Sequence, residues 1–161
     1  MILTTQSVCT AIMLSIMITT SPMVYYKPHN GKDHMEIAKE YIGYGEDSRL
    51  NEELARYTTF RLDTRVTPWC AAFVALILSK AGYPYIHSLM AKDYLKYGHV
   101  TDSPHYGDIV VFNRGNDPAL GHVAFFVRFE GKNVIVLGGN QDNTVKYKAY
   151  PISRVVGYRR I

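Results

Sequence analysis

The pattern of hydrophobic and polar positions changes character near the middle of the chain. Apolar residues recur at helical spacing in the first part, whereas short runs rich in β-branched and aromatic residues follow residue 107. Asp33 and Glu36 form a capping-box pattern, and the apolar residues after them predict a first helix that ends at Gly43 or Gly45. Two further helices are predicted over residues 51–57 and 88–97.

The most hydrophobic helix is predicted between Pro68 and Gly82. Residues 69–82 are apolar almost all round, which is typical of a helix that is buried on every side. A proline before the first turn and a glycine at the end are common at helix termini. We therefore expect a buried central helix that carries Cys70 in its first turn.

Five short strands are predicted in the second part of the chain. Each is bounded by Gly, Asn, Asp or Pro, and a tight hairpin is indicated at residues 130–132. The predicted strands are residues 108–112, 121–128, 133–137, 144–150 and 155–159. Helices followed by a run of strands predict an α+β fold, in which a five-stranded, mostly antiparallel sheet packs on the central helix.

The first 26 residues contain no charged side chain, and the first basic residue is Lys27. Residues 8–26 approach the length of about 20 residues that crosses a membrane, but Thr, Ser and Pro22 interrupt them. There is no basic region before this stretch and no small-x-small cleavage pattern after it. Three interpretations stay open: a signal peptide or releasable signal-anchor, an uncleaved membrane anchor, or an apolar arm packed on the domain. The predicted organisation is a membrane-like segment with a linker over residues 1–30 and one folded domain over residues 31–161.

A length of 161 residues fits one compact domain after such a segment. The formal net charge of +4 favours anionic partners, but the basic residues are scattered and Arg159-Arg160 is the densest pair. We therefore do not expect the chain to bind nucleic acid, and we expect a monomer.

Two cysteines, Cys9 and Cys70, exclude a disulfide framework and a CxxC metal site. A thiol attacks as a thiolate, which a helix N-terminus and a neighbouring imidazole both favour. Cys70 meets the first condition by its place at the start of the central helix. A cysteine on a buried helix is more often only a small hydrophobe, so a catalytic role for Cys70 requires a histidine nearby.

His122 is the best candidate for that base because it begins a predicted strand, where a rigid element aims the ring. The other histidines, which lie in linker, helix or turn contexts and are expected at the surface, are His29, His34, His87, His99 and His105. A catalytic imidazole needs an orienting partner, for which Asn140 is the first choice and Gln141 and Asp142 are the reserves.

Trp69 and Gln141 are the candidate substrate contacts, because they adjoin the predicted nucleophile and the predicted orienting residue. For Trp69, as for Phe73, a place in the core is expected more strongly than a contact with substrate. Asp108 is expected to be a structural residue at a turn or strand start.

Six segments, taken in order, resemble the CHAP and NlpC/P60 superfamily of cell-wall hydrolases, and most closely its compact phage or prophage endolysin-like members. They are EIAKE (36–40), TPWCAAFV (67–74), GDIVVF (107–112), GHVAFFV (121–127), LGGNQ (137–141) and VGYR (156–159). The resemblance implies a papain-like fold, Cys70 as nucleophile, His122 as base and Asn140 as the polar third residue. Gly138 and Gly139 stand where the family often carries a Glu, which implies a triad rather than a four-residue site.

The resemblance also implies a substrate and a mechanism. The substrate would be bacterial peptidoglycan, cut at the N-acetylmuramoyl-L-alanine amide or at a peptide bond of the stem or cross-bridge, with no metal or organic cofactor. Such a domain must be exported to the periplasm or cell wall, and residues 1–26 would first associate it with the inner membrane. A secreted antibacterial toxin amidase and a non-catalytic wall-binding module on the same fold are the alternatives. A disulfide between Cys9 and Cys70 that holds the enzyme inactive is a further hypothesis.

Overall fold

The structure is a computed structural model that describes residues 33–115, 117 and 119–161. The predicted membrane-like segment over residues 1–30, with Cys9 and His29, lies outside the described residues. Among the residues that are described, no helix is both long enough and apolar enough to cross a membrane.

Three α-helices precede the sheet: α1 (His34–Glu40), α2 (Ser48–Tyr57) and α3 (Cys70–Lys80). The capping box at the start of α1 is confirmed, because the Asp33 side chain accepts from the backbone N–H of Glu36 and the Glu36 side chain accepts from that of Asp33. α2 begins three residues earlier than the pattern predicts, because Asp47 caps its N-terminus through the backbone N–H of Leu50 at 3.0 Å.

α3 is the buried central helix that the hydrophobic pattern predicts. All residues from 70 to 78 are buried, and Gly82 ends the segment with a left-handed φ of 84°. The residues predicted as a helix over 88–97 instead contain a 3₁₀ helix, Ala91–Lys96. Its two buried residues, Ala91 and Tyr94, are three positions apart, which is the repeat of a 3₁₀ helix.

The fold is α+β, as predicted, but the sheet has six strands rather than five. The strands are β1 (His99–Thr101), β2 (Ile109–Asn113), β3 (Gly121–Glu130), β4 (Asn133–Gln141), β5 (Thr144–Pro151) and β6 (Val155–Arg160). Their order is β1-β6-β2-β3-β4-β5, and every neighbouring pair is antiparallel. The unpredicted strand is β1, an edge strand of three residues that is too short to show an alternating pattern.

The main core lies between α3 and one face of the sheet, and it includes Val123, Phe125 and Leu137. The opposite face carries a smaller apolar cluster, which contains Phe112, Ala124 and Tyr150 among others. Strand alternation places neighbouring residues of β3 on opposite faces, so the start of β3 is in contact with both clusters.

Gly139 allows β4 to lie directly against the start of α3. A Cβ atom at this position would stand 2.6 Å from the Cβ of Phe73 and closer still to the ring of Trp69. No real side chain fits at such separations, so a glycine is required where the sheet meets the first turn of α3.

Candidate active site

Cys70 is the first residue of α3, and its side chain is buried with 4% of the residue exposed. The residue before it, Trp69, forms no side-chain hydrogen bond to the helix N-terminus. The N–H groups of the first turn are therefore not capped by a side chain, and they favour negative charge at this end of the helix.

The thiol of Cys70 also lies beside the start of β3. Burial raises the pKa of Cys70, whereas the backbone N–H groups of Val123 and Ala71 oppose that shift. The β3–β4 pairing runs from Glu130↔Asn133 to Phe125↔Leu137, so Val123 lies beyond its end. The thiol thus lies just beyond the hydrogen-bonded part of β3 and β4, next to the residue that follows His122.

His122 is buried on the same short segment of β3, with 4% of the residue exposed. Its ring lies 5.2 Å from the ring of Tyr150 and 6.2 Å from that of Phe112, measured between centroids. Burial lowers the pKa of His122 to about 4, although its hydrogen bond with Gln141 raises the pKa in part. The imidazole is therefore neutral at physiological pH and can accept a proton.

Gln141 fixes the tautomer of this imidazole. The amide NH₂ of Gln141 donates to the carbonyl oxygens of Gly138, at 3.1 Å, and of Lys146. Since both partners accept only, the amide oxygen must be the atom that faces His122, and Oε1 lies 3.3 Å from Nε2 of the ring. Nε2 therefore carries the proton, and Nδ1 keeps the lone pair that a general base needs.

Comparisons with known proteins found a family and a fold that this chain resembles. The family described as CHAP domain matches residues 63–140, which include Cys70 and His122. Residues 63–140 are thus similar to the CHAP domain family, whose members, with those of the NlpC/P60 family, are cell-wall hydrolases. No curated protein matches this chain.

A solved structure shows the same fold. It is described as similar to lipoprotein, NLP/P60 family, and comes from Staphylococcus aureus subsp. aureus Mu50. The TM-score is 0.50 and the sequence identity 18%, over 80% of this chain and 40% of that one. This chain therefore spans less than half the length of the protein it resembles, and the likeness concerns the fold alone.

The orienting residue that the structure shows is Gln141, the reserve, rather than Asn140. The β4–β5 register shifts between Gly138 and Gln141, and Asn140 takes a left-handed φ of 56°. This irregularity breaks the alternation of side chains and brings the side chain of Gln141 onto the His122 ring. Within the described part of the chain, no hydrogen bond joins Asn140 to that ring.

The prediction that Trp69 and Gln141 contact the substrate is wrong, because both side chains are buried. Trp69 is 0% exposed and Gln141 is 1% exposed, so neither side chain is accessible to a polymeric substrate. Trp69 instead packs edge-on against Phe73, with the ring centroids 6.5 Å apart. The prediction that His34 lies at the surface is also wrong, because the residue is partly buried and its Nε2 is 2.9 Å from the carbonyl oxygen of Gly107.

Sequence reasoning missed a ring of residues around the imidazole. Tyr150 contacts His122, and the cations Arg154 and Lys148 lie over the Tyr150 ring at 5.2 and 5.8 Å from its centroid. Alternation along β5 could have placed Tyr150 on a buried face, but nothing in the sequence pairs Arg154 with it. Among the described residues, no group of three or more His, Cys, Asp or Glu side chains is arranged to hold a metal ion.

We predict that His122 stays neutral with Nε2 protonated down to about pH 4, so a base at this position is lost only as the pH falls through that value. Gln141→Ala should lower the pKa of His122 further, because it removes the acceptor that favours the charged ring. Titration of the ring nitrogens by ¹⁵N NMR checks both statements. Because the folded-state pKa lies below the ordinary value of about 6.5, this group also makes folding less stable as the pH falls from about 6.5 towards 4.

Asn140→Gly is the matched control for this experiment, since it removes the neighbouring amide without touching the ring and tolerates the left-handed φ of 56° at this position. Its His122 titration should follow the wild type. An equal shift in both variants, or a wild-type midpoint near 6.5, would contradict the assignment of Gln141.

Proposed function

We propose that this domain hydrolyses an amide bond of bacterial peptidoglycan, with Cys70 as nucleophile and His122 as general base. One observation carries the proposal: the amide oxygen of Gln141 faces Nε2 of His122 and leaves the lone pair of Nδ1 for a proton, and the thiol of Cys70 lies beside the backbone of Val123, the residue that follows His122. A nucleophile, a base and an orienting group are the three parts of a thiol hydrolase.

In the proposed reaction, Nδ1 of His122 accepts the thiol proton as the Cys70 sulfur attacks the substrate carbonyl carbon. The C–N bond then breaks, and the same imidazole gives that proton to the departing amine, which leaves a thioester on Cys70. A water molecule next loses a proton to Nδ1 and attacks the thioester carbonyl. The carboxylic acid product departs, and the thiol regains its proton.

The start of α3 provides the stabilisation that the tetrahedral intermediate needs. The backbone N–H groups of Cys70 and Ala71 lower the pKa of the thiol, against the effect of burial, and lie in the uncapped first turn. Oxyanions formed beside the sulfur would accept from such groups, with the helix dipole adding to the effect. No step requires a metal or an organic cofactor.

The proposal includes a location for the activity. Peptidoglycan lies outside the cytoplasmic membrane, so the domain must reach the periplasm or cell wall, and the uncharged residues 1–26 are the candidate for export or membrane attachment. Phage or prophage origin, with a role as an endolysin, stays a prediction from the resemblance of the sequence segments.

Mass spectrometry of the fragments that the full chain releases from purified peptidoglycan tests the function. New alanine amino termini on the stem peptide, with free muramic acid carboxyl groups, would identify an amidase. New amino termini within the stem or cross-bridge would identify an endopeptidase. Binding of the wall without any released fragment, across several peptidoglycan types, would instead support the wall-binding module.

A further inference from the structure

The face of the site around Tyr150 is lined by cations. The guanidinium of Arg154 lies 5.2 Å from the centre of the Tyr150 ring, and the same ring contacts His122, so one ring separates Arg154 from the proposed base. Nε and Nη2 of Arg154 donate to the carbonyl oxygen of Asn113 at 3.1 and 2.9 Å. Its remaining N–H groups are left for another acceptor, and the residue is partly exposed.

Arg114 brings a second guanidinium to the same place. Arg114 directly follows Asn113, whose carbonyl oxygen accepts the hydrogen bonds of Arg154. Asn113 also pairs with Gly121, the residue before His122. The Arg114 side chain is exposed, and within the described ranges it forms no salt bridge. Its positive charge favours the thiolate of Cys70 and the neutral ring of His122, so its own effect on both pKa values is to lower them.

The acidic groups nearby leave this positive charge uncompensated. Asp142 forms salt bridges with Lys146 and Lys148, at 2.6 Å each, and not with either arginine. Asp117, in the loop after Arg114, accepts from the backbone N–H of Ala119. Arg114 and Arg154 are therefore two cations beside a reaction centre with no carboxylate of the described chain bound to them.

We propose that Arg114 and Arg154 form a carboxylate-binding subsite that holds a free carboxylate of the substrate beside the scissile amide. Guanidinium groups bind carboxylates through charge-assisted, directional hydrogen bonds, and they bind a neutral carboxamide less well because it has no charge. The site thus selects an acidic stem peptide over its amidated form. This inference rests on the proposed peptidoglycan hydrolase function for its choice of substrate.

The test uses the full chain as Cys70→Ala, so that substrate binds without turnover. Binding is measured by isothermal titration against two soluble muropeptides that differ only at the second-position glutamate, whose α-carboxyl group is either free or amidated. The free form should bind about tenfold more tightly, as expected for one charge-assisted contact in a partly exposed site. The preference should shrink at high salt, because exposed charges are screened.

Arg114→Gln and Arg154→Gln, alone and together, are then introduced into the same protein. The ratio of the two affinities should fall towards one in the double variant. Arg128→Gln is the matched control, since it removes one positive charge from an exposed pair with Glu130, six residues along β3 from His122 and about 20 Å away. It should keep the wild-type ratio.

The results separate this inference from the function on which it rests. Equal affinity for the two muropeptides, or a preference that the double variant retains, would overturn the subsite. If Arg154→Gln does not fold, because it loses its bonds to Asn113, the exposed Arg114→Gln variant decides the question alone. A preference that depends on the arginines, in a wild-type protein that releases no fragment from several types of purified peptidoglycan, would support the subsite and remove the hydrolase proposal.

Discussion

Cys70→Ala is expected to reduce the release of peptidoglycan fragments by about 10⁴-fold or more, because removal of a catalytic nucleophile disables the whole catalytic unit. The substitution removes one buried sulfur atom from the first turn of α3. We expect it to change the free energy of unfolding by only about 1 kcal/mol, since the loss is close to that of one buried methylene group. Fragment release and urea unfolding, measured on the same preparation, separate the two effects.

Cys9→Ala is the matched control, because it removes the other cysteine and leaves the proposed nucleophile in place. It should release fragments at the wild-type rate under reducing conditions. Comparable activity of Cys70→Ala and wild type would rule out Cys70 as the nucleophile. The hypothesis of an inhibitory disulfide fails if no disulfide that depends on Cys9 is seen on a non-reducing gel.

Gly139→Ala is expected to lower the free energy of unfolding by about 3 kcal/mol, at the upper end of what overpacking costs. The new Cβ atom would collide with the Phe73 Cβ at 2.6 Å and with the Trp69 ring, and neither neighbour can withdraw because both are fully buried. The collision would push β4 away from the start of α3. Equilibrium unfolding in urea, with a lowered midpoint at an unchanged slope, would show the effect.

Gly45→Ala provides the comparison for this prediction. A Cβ atom at Gly45 would have the Asn143 carbonyl oxygen at 3.4 Å as its nearest neighbour, which is ordinary contact. We expect a change in stability of less than about 1 kcal/mol. If the two alanine variants unfolded at the same urea concentration, the close approach of β4 to α3 would be wrong.

The parts of the fold that could be predicted are those where one physical signal dominates. α3 is apolar on all sides and has Pro68 before it and Gly82 after it, so its position followed from burial and helix termination alone. Because Cys70 is the first residue of that helix, predicting the helix also predicted the position of the candidate nucleophile.

The orienting residue could not be predicted from the same kind of signal. Asn140 and Gln141 are adjacent amides, and only the local backbone decides which of them faces His122. Asn140, Asp142 and Asn143 all have positive φ angles, between 53° and 62°. Asp142 and Asn143 form the two-residue turn between β4 and β5, where such angles are usual, whereas Asn140 lies at the register shift within β4, which an alternating pattern does not reveal.

The cations around Tyr150 could not be predicted from the sequence for a different reason. Arg154 lies in the short turn between β5 and β6, whereas His122 begins β3, and the topology alone brings them together. Contacts between residues so far apart in sequence depend on sheet order, which strand patterns do not specify. The charge of +4 indicated an anionic partner, but not where it would bind.

The central claim is that the thiol of Cys70 performs the hydrolysis, and graded blocking of that thiol tests it most directly. The Cys9→Ala protein is treated with increasing amounts of methyl methanethiosulfonate, a reagent small enough for a thiol that is only 4% exposed. The blocked fraction of Cys70 and the peptidoglycan fragments released are then measured on each sample by mass spectrometry. We predict that activity falls in proportion to the blocked fraction, reaches zero at full modification and returns when dithiothreitol frees the thiol. Full activity of a protein whose Cys70 is completely blocked would contradict the account.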